Sequence, residues 1–477
     1  MFGFNRDQRT ILHLTWIAFF LTFVAWFNMA PFNTTLQAVA GLSADQIKLL
    51  MICNVALTIP ARILIGSLVD RYGPKQMFTG LLLFAGTVSL YFSMATTFRE
   101  FMICRLLMGC AGAGFVVGIK MIAEWFPPDR MGTAQGIYAG WGNFGAAAAA
   151  FALAPLAALF SPEIGWRIAT AFSGLLCIAW AGVYRRWARE VPARAGEFPL
   201  SLEKTIEVTS KNDLMLQLIL MVPLYGAMGF FVWQLTASAD FPGGLWAGAL
   251  LLAILIGFFV FNALRCIKIN LPRIAAGIPK EKQYLFSQVA ILSLVYALTF
   301  GSELAVISMF PEFLQTTFQL TVATAGILGS AFAFFNLIAR PGGGWFSDQW
   351  GRRRVLIFLV LAAAFCYGLM GKVDSHWSIG LAVGLAVLCS VLIQAGNGAC
   401  FALVPLIRKD LTGRLAGVVG AYGNVGAVFF LTLLTVVETS MFFKIIGGYA
   451  FLVFISLFFL KPFNSPHHSF HPLSKEG

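Results

Sequence analysis

The chain has 477 residues, of which 59% are hydrophobic and only 11% are charged. A soluble domain carries about 25% charged residues, so this composition excludes an ordinary soluble protein and indicates a polytopic membrane protein. Apolar runs of helical length recur along the chain, which favours a helical bundle over a β-barrel. The net charge of +12 falls in short basic clusters between these runs. This distribution follows the positive-inside rule and does not indicate nucleic acid binding.

Fourteen apolar runs could cross a membrane, in groups of six, two and six. The runs lie near 11–32, 46–69, 76–96, 101–126, 132–160, 168–184, 214–235, 245–263, 285–310, 321–347, 355–372, 378–407, 413–437 and 441–460. We predict four regions: an N-terminal six-helix half over 1–184, a basic linker with two additional transmembrane segments over 185–284, a C-terminal six-helix half over 285–462, and a polar tail over 463–477.

The basic residues also predict the orientation. If both termini are cytoplasmic, about 24 of the 33 Lys and Arg residues face the cytoplasm and about 6 face outward. An even number of segments in the middle preserves this arrangement. We therefore predict a multi-pass protein of the cell inner (plasma) membrane.

The run from Ile52 to Gly73 carries Arg62 with no acidic residue near it in the sequence. Arg62 precedes Asp70 by eight residues, which places it roughly 12 Å inside the membrane edge at ~1.5 Å per helical residue. A charge at that depth costs about 2.5–3.5 kcal/mol or more, so it indicates a functional residue.

The second half of the chain repeats features of the first. ARILIGSLVDRYG (61–73) aligns with ARPGGGWFSDQWG (339–351), and GNFG (142–145) aligns with GNVG (423–426). The alignment pairs Arg62 with Arg340, Asp70 with Asp348, Gly73 with Gly351, and Asn143 with Asn424. A duplicated six-helix unit is typical of transporters that bind their substrate near the midplane, between the two halves.

Four of these segments resemble a known family. GSLVDRYGPK (66–75) and GGWFSDQWGRRR (343–354) resemble the two loop motifs of the major facilitator superfamily, although Gln349 stands where Arg is usual. AGWGNFGAAAAAF (139–151) and GAYGNVGAVFF (420–430) resemble the paired nitrate-signature segments of its nitrate/nitrite porter family. SELAVISMFPEF (302–313) and the two extra runs resemble the cyanobacterial-type nitrate permease branch. The resemblance implies an all-α major facilitator fold.

Arg62 and Arg340 are the first candidates for substrate binding. Two permanent charges at one depth repel each other, so an anion between them would stabilise the site. Guanidinium is planar and presents its donors in a fork, which matches a planar oxyanion such as nitrate. The alternative is that each arginine pairs with backbone carbonyls or an acidic residue and is only structural. Both positions match the anion-binding arginines of the family.

The resemblance implies further substrate contacts. Asn143 and Asn424 lie in glycine-rich helix stretches, where amides donate to an oxyanion or hold helices together. Phe23, Phe115 and Tyr296 match aromatic positions that line the site in this family, where rings exclude water and a tyrosine hydroxyl donates to the anion. Core packing is the alternative for each of them.

Other polar residues suggest coupling and gating. Glu303 is a proton-coupling candidate, with a structural ion pair as the alternative. Lys120 and Glu124 lie one helical turn apart and form either an intrahelical pair or part of a gate. The resemblance assigns a conformational role to the loop residues Asp70, Arg71, Gly73, Asp348 and Gly351.

We therefore predict transport of nitrate and nitrite by alternating access, coupled to protons. Import of an anion against an inside-negative potential needs coupling, since moving one charge costs ~2.3 kcal/mol per 100 mV. The alternatives are nitrate/nitrite exchange, a permease for formate or a dicarboxylate, and a transporter-like nitrate sensor without flux. The expected partners are the lipid bilayer, the small anion and protons. We expect no cofactor, no metal, no enzymatic activity and a monomer.

Overall fold

The computed structural model describes residues 4–190, 206–237, 244–279, 282–320, 322–408 and 411–461, and every regular element in these ranges is a helix. The predicted tail over 463–477 and residues 191–205 of the predicted linker lie outside the described residues. The side chain of Asp70 lies outside them as well.

The N-terminal half contains six segments of membrane-spanning length, four of which are divided into shorter helices. In chain order the helices are α1 (Arg6–Trp26) and α2 (Asn33–Ala40), α3 (Ala44–Ala56) and α4 (Thr58–Tyr72), α5 (Pro74–Met94), α6 (Phe98–Gly109) and α7 (Gly114–Trp125), α8 (Pro128–Asn143), α9 (Gly145–Ala148) and α10 (Ala154–Ala157), and α11 (Pro162–Trp187).

Two long helices follow, and then six segments of the C-terminal half. The two inserted helices are α12 (Lys211–Ala237) and α13 (Gly244–Ala276). The C-terminal helices are α14 (Phe286–Phe318), α15 (Val322–Phe334) and α16 (Asn336–Trp350), α17 (Arg352–Met370), α18 (Ile379–Ile407), α19 (Thr412–Val436) and α20 (Thr439–Ser456).

Twelve described helical stretches are long and apolar enough to cross a membrane. They include both inserted helices and leave out two predicted spans, the segment of α8–α10 and the segment of α15–α16. Those two segments are divided into helices of at most 16 residues.

The helices differ from the apolar runs in their bounds. The run at 245–263 ends before Arg265, yet α13 continues to Ala276, because Lys and Arg are good helix formers and do not end a helix. The predicted run at 46–69 is divided after Ala56, and the run at 321–347 is divided after Phe334.

The internal repeat extends to these breaks. Helices α4 and α16 both have 15 residues, and their bounds differ by 278 residues at both ends (336 − 58 and 350 − 72). Each begins directly after a break, at Leu57 and at Phe335. Each ends at a glycine with positive φ, +80° at Gly73 and +93° at Gly351, a backbone conformation that other residues rarely adopt.

Glycines bring the two halves into close contact. Helix α8 packs on α16, and α4 packs on α19. A Cβ added at Gly140 would lie 2.6 Å from the carbonyl oxygen of Asn336, and one at Gly66 would lie 3.3 Å from that of Gly413. The halves therefore meet backbone to backbone on both sides of the site described below.

We expect Gly426→Ala, in the contact between α14 and α19, to destabilise the protein. The added methyl group would collide with the carbonyl of Ala297 and lie 2.9 Å from its Cα atom. Overpacking of this kind costs about 1–3 kcal/mol, which thermal unfolding in detergent would detect as a lower midpoint. Gly368→Ala is the matched control, because its Cβ meets no atom within 4 Å. Equal midpoints for the two variants would contradict this packing.

Candidate functional site

Arg62 projects from α4 into the interior and is fully buried. Its Nε donates to the carbonyl of Gly112 at 3.2 Å, and its Nη1 donates to the carbonyl of Gly420 at 2.6 Å. Gly112 lies in the short 3-10 turn Cys110–Ala113 between α6 and α7, where the interrupted α-helix leaves carbonyls available as acceptors. Gly420 lies on α19, so Arg62 connects the two halves. Its Nη2 is buried and has no hydrogen-bond partner among the described residues.

Arg340 projects from α16 and has a carboxylate partner. Its Nη2 lies 2.6 Å from Oε2 of Glu303, and its Nε donates to Oδ1 of Asn336 at 2.6 Å. Glu303 also accepts from the amides of Asn336 at 2.8 Å and Asn397 at 2.7 Å. All four side chains are at most 2% exposed. For Arg340 the structure therefore shows the pairing with an acidic residue that the sequence left open as an alternative to anion binding.

This buried network joins three helices, since Asn397 comes from α18 and accepts a hydrogen bond from Thr299 of α14 at 2.6 Å. The sequence reading missed Asn336, Asn397 and Thr299. Asn336 stands four residues before Arg340, a spacing that places both on one helix face. The sequence holds no comparable signal for Asn397, which the fold brings to Glu303 from 94 residues away.

Phe300 contacts both guanidinium groups and was also missed. The Cζ atom of Arg62 is 4.9 Å from its ring centroid, and that of Arg340 is 5.6 Å away. These cation–π contacts offset part of the repulsion between the two charges. Phe300 follows Tyr296 by one helical turn and stacks on it at 5.0 Å. That spacing is the signal that could have identified it.

Aromatic rings enclose this region. Phe115 lies 5.4 Å from Cζ of Arg62 and stacks on Tyr296 at 6.2 Å. Phe401, which was not predicted, packs edge-on against both rings at 4.7 and 4.6 Å. The Tyr296 hydroxyl is buried and makes no hydrogen bond of standard geometry in the described part of the chain. It interacts electrostatically with both arginines.

Phe23 is connected to these rings through Phe19. It packs on Phe19 at 4.5 Å, and Phe19 in turn packs on Phe115 at 5.8 Å. Within the described part of the chain, no cation–π contact joins Phe23 to Arg62 or Arg340. Its role in substrate binding stays a prediction.

Asn143 and Asn424 are both buried, and both amides donate to a carbonyl one turn earlier in their own helix, at 2.7 Å and 3.3 Å. The acceptor for Asn424 is Gly420, whose carbonyl also binds Arg62. Asn424 therefore lies beside Arg62, and its Oδ1 has no partner among the described residues.

The predicted gating residues lie outside this cluster. Lys120 and Glu124 form an ion pair at 3.8 Å within α7. Asp348 pairs with Arg352 at 2.8 Å across the turn that contains Gly351. Two other contacts occur in the first loop: Arg71 stacks over Tyr72 at 5.0 Å, and Gly73 lies against the carboxylate of Glu190.

The comparisons with known proteins agree with this architecture. The model of the Major Facilitator Superfamily matches residues 15–286 and 292–476. Nitrate/nitrite transporter NrtP of Picosynechococcus sp. is 40% identical, with 99% of this chain and 96% of that protein aligned. The chain belongs to the major facilitator superfamily, in its nitrate/nitrite porter family. The protein of the same name from Nostoc punctiforme is 39% identical over 99% of this chain and 95% of its own.

More distant proteins share the fold. The probable nitrate/nitrite antiporter NarK1 of Thermus thermophilus is 26% identical over 89% of this chain and 84% of its own. The structure of the xylose transporter XylE from E. coli, in a partially occluded inward-open conformation, matches with a TM-score of 0.62. It is 14% identical and covers 96% of this chain and 98% of its own. At 14% identity the likeness to XylE shows the fold alone. The relatives named above are transporters, not enzymes.

We expect the buried ion pair to show strong coupling in stability. Glu303→Leu leaves the Arg340 charge buried without its carboxylate, which costs about 3–5 kcal/mol. Glu303→Leu combined with Arg340→Met removes both charges and should unfold at a higher temperature than either single variant. The measurement is a double-mutant cycle of thermal midpoints in detergent without added anion. Additive midpoint changes would show that the two residues do not interact.

Proposed function

We propose that this protein transports nitrate, and nitrite, with the anion bound between Arg62 and Arg340. The observation that supports the proposal is that two buried donors, Nη2 of Arg62 and the hydroxyl of Tyr296, make no hydrogen bond of standard geometry within the described part of the chain. The names of the relatives that are 39–40% identical over 99% of the chain support the same substrates. We further propose that the protein lies in the cell inner membrane with both termini cytoplasmic. We also propose an N-terminal half over 1–184, a linker with the two inserted helices over 185–284, and a C-terminal half over 285–462.

The charge of the cluster fits a univalent anion. Arg62, Arg340 and Glu303 together carry one net positive charge, and all three are buried. While Glu303 is ionised, one nitrate neutralises this charge, whereas a divalent anion would leave a buried negative charge, which is costly without further cations. The rings of Phe300, Phe115 and Tyr296 exclude water, which strengthens the charge-assisted hydrogen bonds to the anion.

Glu303 can couple a proton to this binding. Without the anion its carboxylate receives three donors, including the Arg340 guanidinium. An anion that draws Arg340 away removes the positive partner of this carboxylate, and the coupled proton takes its place. One proton would then move with each anion. No net charge would cross the membrane, and the electrical cost of import would be avoided.

Exchange of nitrate for nitrite is the second candidate. The name of the Thermus relative, a probable nitrate/nitrite antiporter, favours it. In an exchanger the bond between Arg340 and Glu303 persists throughout the cycle, and Glu303 is a structural residue.

We expect Arg62→Lys and Arg340→Lys each to lower nitrate uptake into proteoliposomes about 10- to 100-fold. Lysine keeps the charge and loses the planar fork, and a charge-assisted hydrogen bond contributes about 1.5–3 kcal/mol. Arg167→Lys is the matched control, because Arg167 donates to the carbonyls of Ser93 and Ala95, outside the site. Near-normal uptake by either site variant would remove that arginine from the proposed role.

We expect Glu303→Gln to separate binding from coupling. The variant should bind nitrate more tightly, because Arg340 loses its competing carboxylate, and uptake should no longer respond to a pH gradient. The measurements are nitrate binding to purified protein and proteoliposome uptake at two pH gradients. Glu312→Gln is the control, since Glu312 is exposed on the same helix, α14. Unchanged dependence on the pH gradient in Glu303→Gln would remove Glu303 from the coupling role. Uptake by the native protein that does not respond to the pH gradient but requires nitrite on the opposite side would favour exchange.

A further inference from the structure

A cavity with charged residues in its lining lies where the inserted helices meet the C-terminal half. Its volume is about 240 Å³, and its charged lining residues are Glu207, Arg273, Lys282 and Arg408. Arg273 belongs to the last turns of α13, Lys282 precedes α14, and Arg408 directly follows α18. The cavity is therefore built jointly by the insert and the ends of two helices that carry the central site.

Positive charge predominates in this cavity. Glu207 receives a two-pronged contact from Arg273, with N–O distances of 2.6 and 2.9 Å, and lies 3.8 Å from Arg408. The described lining residues thus hold three cations and one carboxylate. Arg408 also stacks over the ring of Tyr284 at 5.7 Å and donates to the carbonyl of Lys282 at 3.2 Å. These contacts hold its guanidinium at the cavity.

The outer surface of α13 is suited to lipid. Only 6% of its most apolar stretch is buried in the protein, and large apolar side chains such as Leu264 and Leu271 are exposed along it. The Arg273 side chain, two residues after Leu271, is 49% exposed. Arg273 leaves α13 on a different face from Leu271, about 200° around the helix, but at the depth where the headgroup of an acyl chain lying along α13 would be. The positive-inside orientation places that mouth at the cytoplasmic leaflet, which carries the anionic lipids.

We infer that this cavity binds the phosphate group of an anionic lipid headgroup. Guanidinium forks match phosphate oxygens in pairs, and Lys282 adds a third positive charge. Free inorganic phosphate offers the same chemistry, and the experiment below distinguishes the two sources. The bound group would link the insert to the ends of α14 and α18, which carry Glu303 and Asn397. The inference does not depend on which anion the central site transports.

The test uses the full-length protein in phosphatidylcholine vesicles with and without phosphatidylglycerol. Thermal midpoints and native mass spectrometry of retained lipid are measured in parallel. We expect phosphatidylglycerol to raise the midpoint and to be retained. Lys282→Gln and Arg273→Gln should each lower its apparent affinity about tenfold, as loss of one charge-assisted contact implies. Lys268→Gln, an exposed basic residue of α13 outside the cavity lining, should not.

Glu207→Gln provides a variant with the opposite expected sign. It removes the carboxylate that competes for Arg273, so retention of phosphatidylglycerol should increase. A midpoint shift with inorganic phosphate in pure phosphatidylcholine, and none with phosphatidylglycerol, would assign the cavity to free phosphate. Equal losses in Lys268→Gln and Lys282→Gln, or no shift with either probe, would overturn the site.

Discussion

The burial of two arginine side chains at the centre of the helix bundle is the constraint on which the rest of the structure depends. A guanidinium group at membrane depth is costly, and polar partners lower that cost. The two halves provide such partners differently. Arg340 pairs with the carboxylate of Glu303, while among the described residues Arg62 donates to the carbonyls of Gly112 and Gly420. A site of two equivalent arginines, as the internal repeat predicts, is therefore asymmetric in charge.

The interrupted helices also help to provide polar partners. Irregular backbone is tolerated at membrane depth when it is buried in protein, and here it supplies an acceptor that a continuous helix would have used internally. The turn at Gly112 accepts a hydrogen bond from Arg62. The breaks before α4 and α16, in equivalent positions of the two halves, start the helices that carry Arg62 and Arg340.

The inserted helices add a peripheral element to this scheme. Helix α12 contacts α3 of the N-terminal half as well as α14 and α19 of the C-terminal half, whereas α13 contacts mainly α12. In α12, the buried carboxylate of Asp213 accepts a hydrogen bond from the backbone N–H of Phe286 at the start of α14. The insert is thus joined to the helix that carries Tyr296, Phe300 and Glu303, and lipid bound to it would act on that helix.

The sequence by itself determined the helical membrane class, the internal repeat and the two arginines, because apolar length and an isolated charge are local properties of the chain. It also singled out Glu303, without deciding between a proton carrier and an ion pair. Only the tertiary structure decided that Glu303 faces Arg340, and that Phe300, Asn336 and Asn397 complete the cluster. Those contacts join residues up to 238 positions apart (300 − 62), and among 47 Phe residues packing alone selects the one that contacts both arginines.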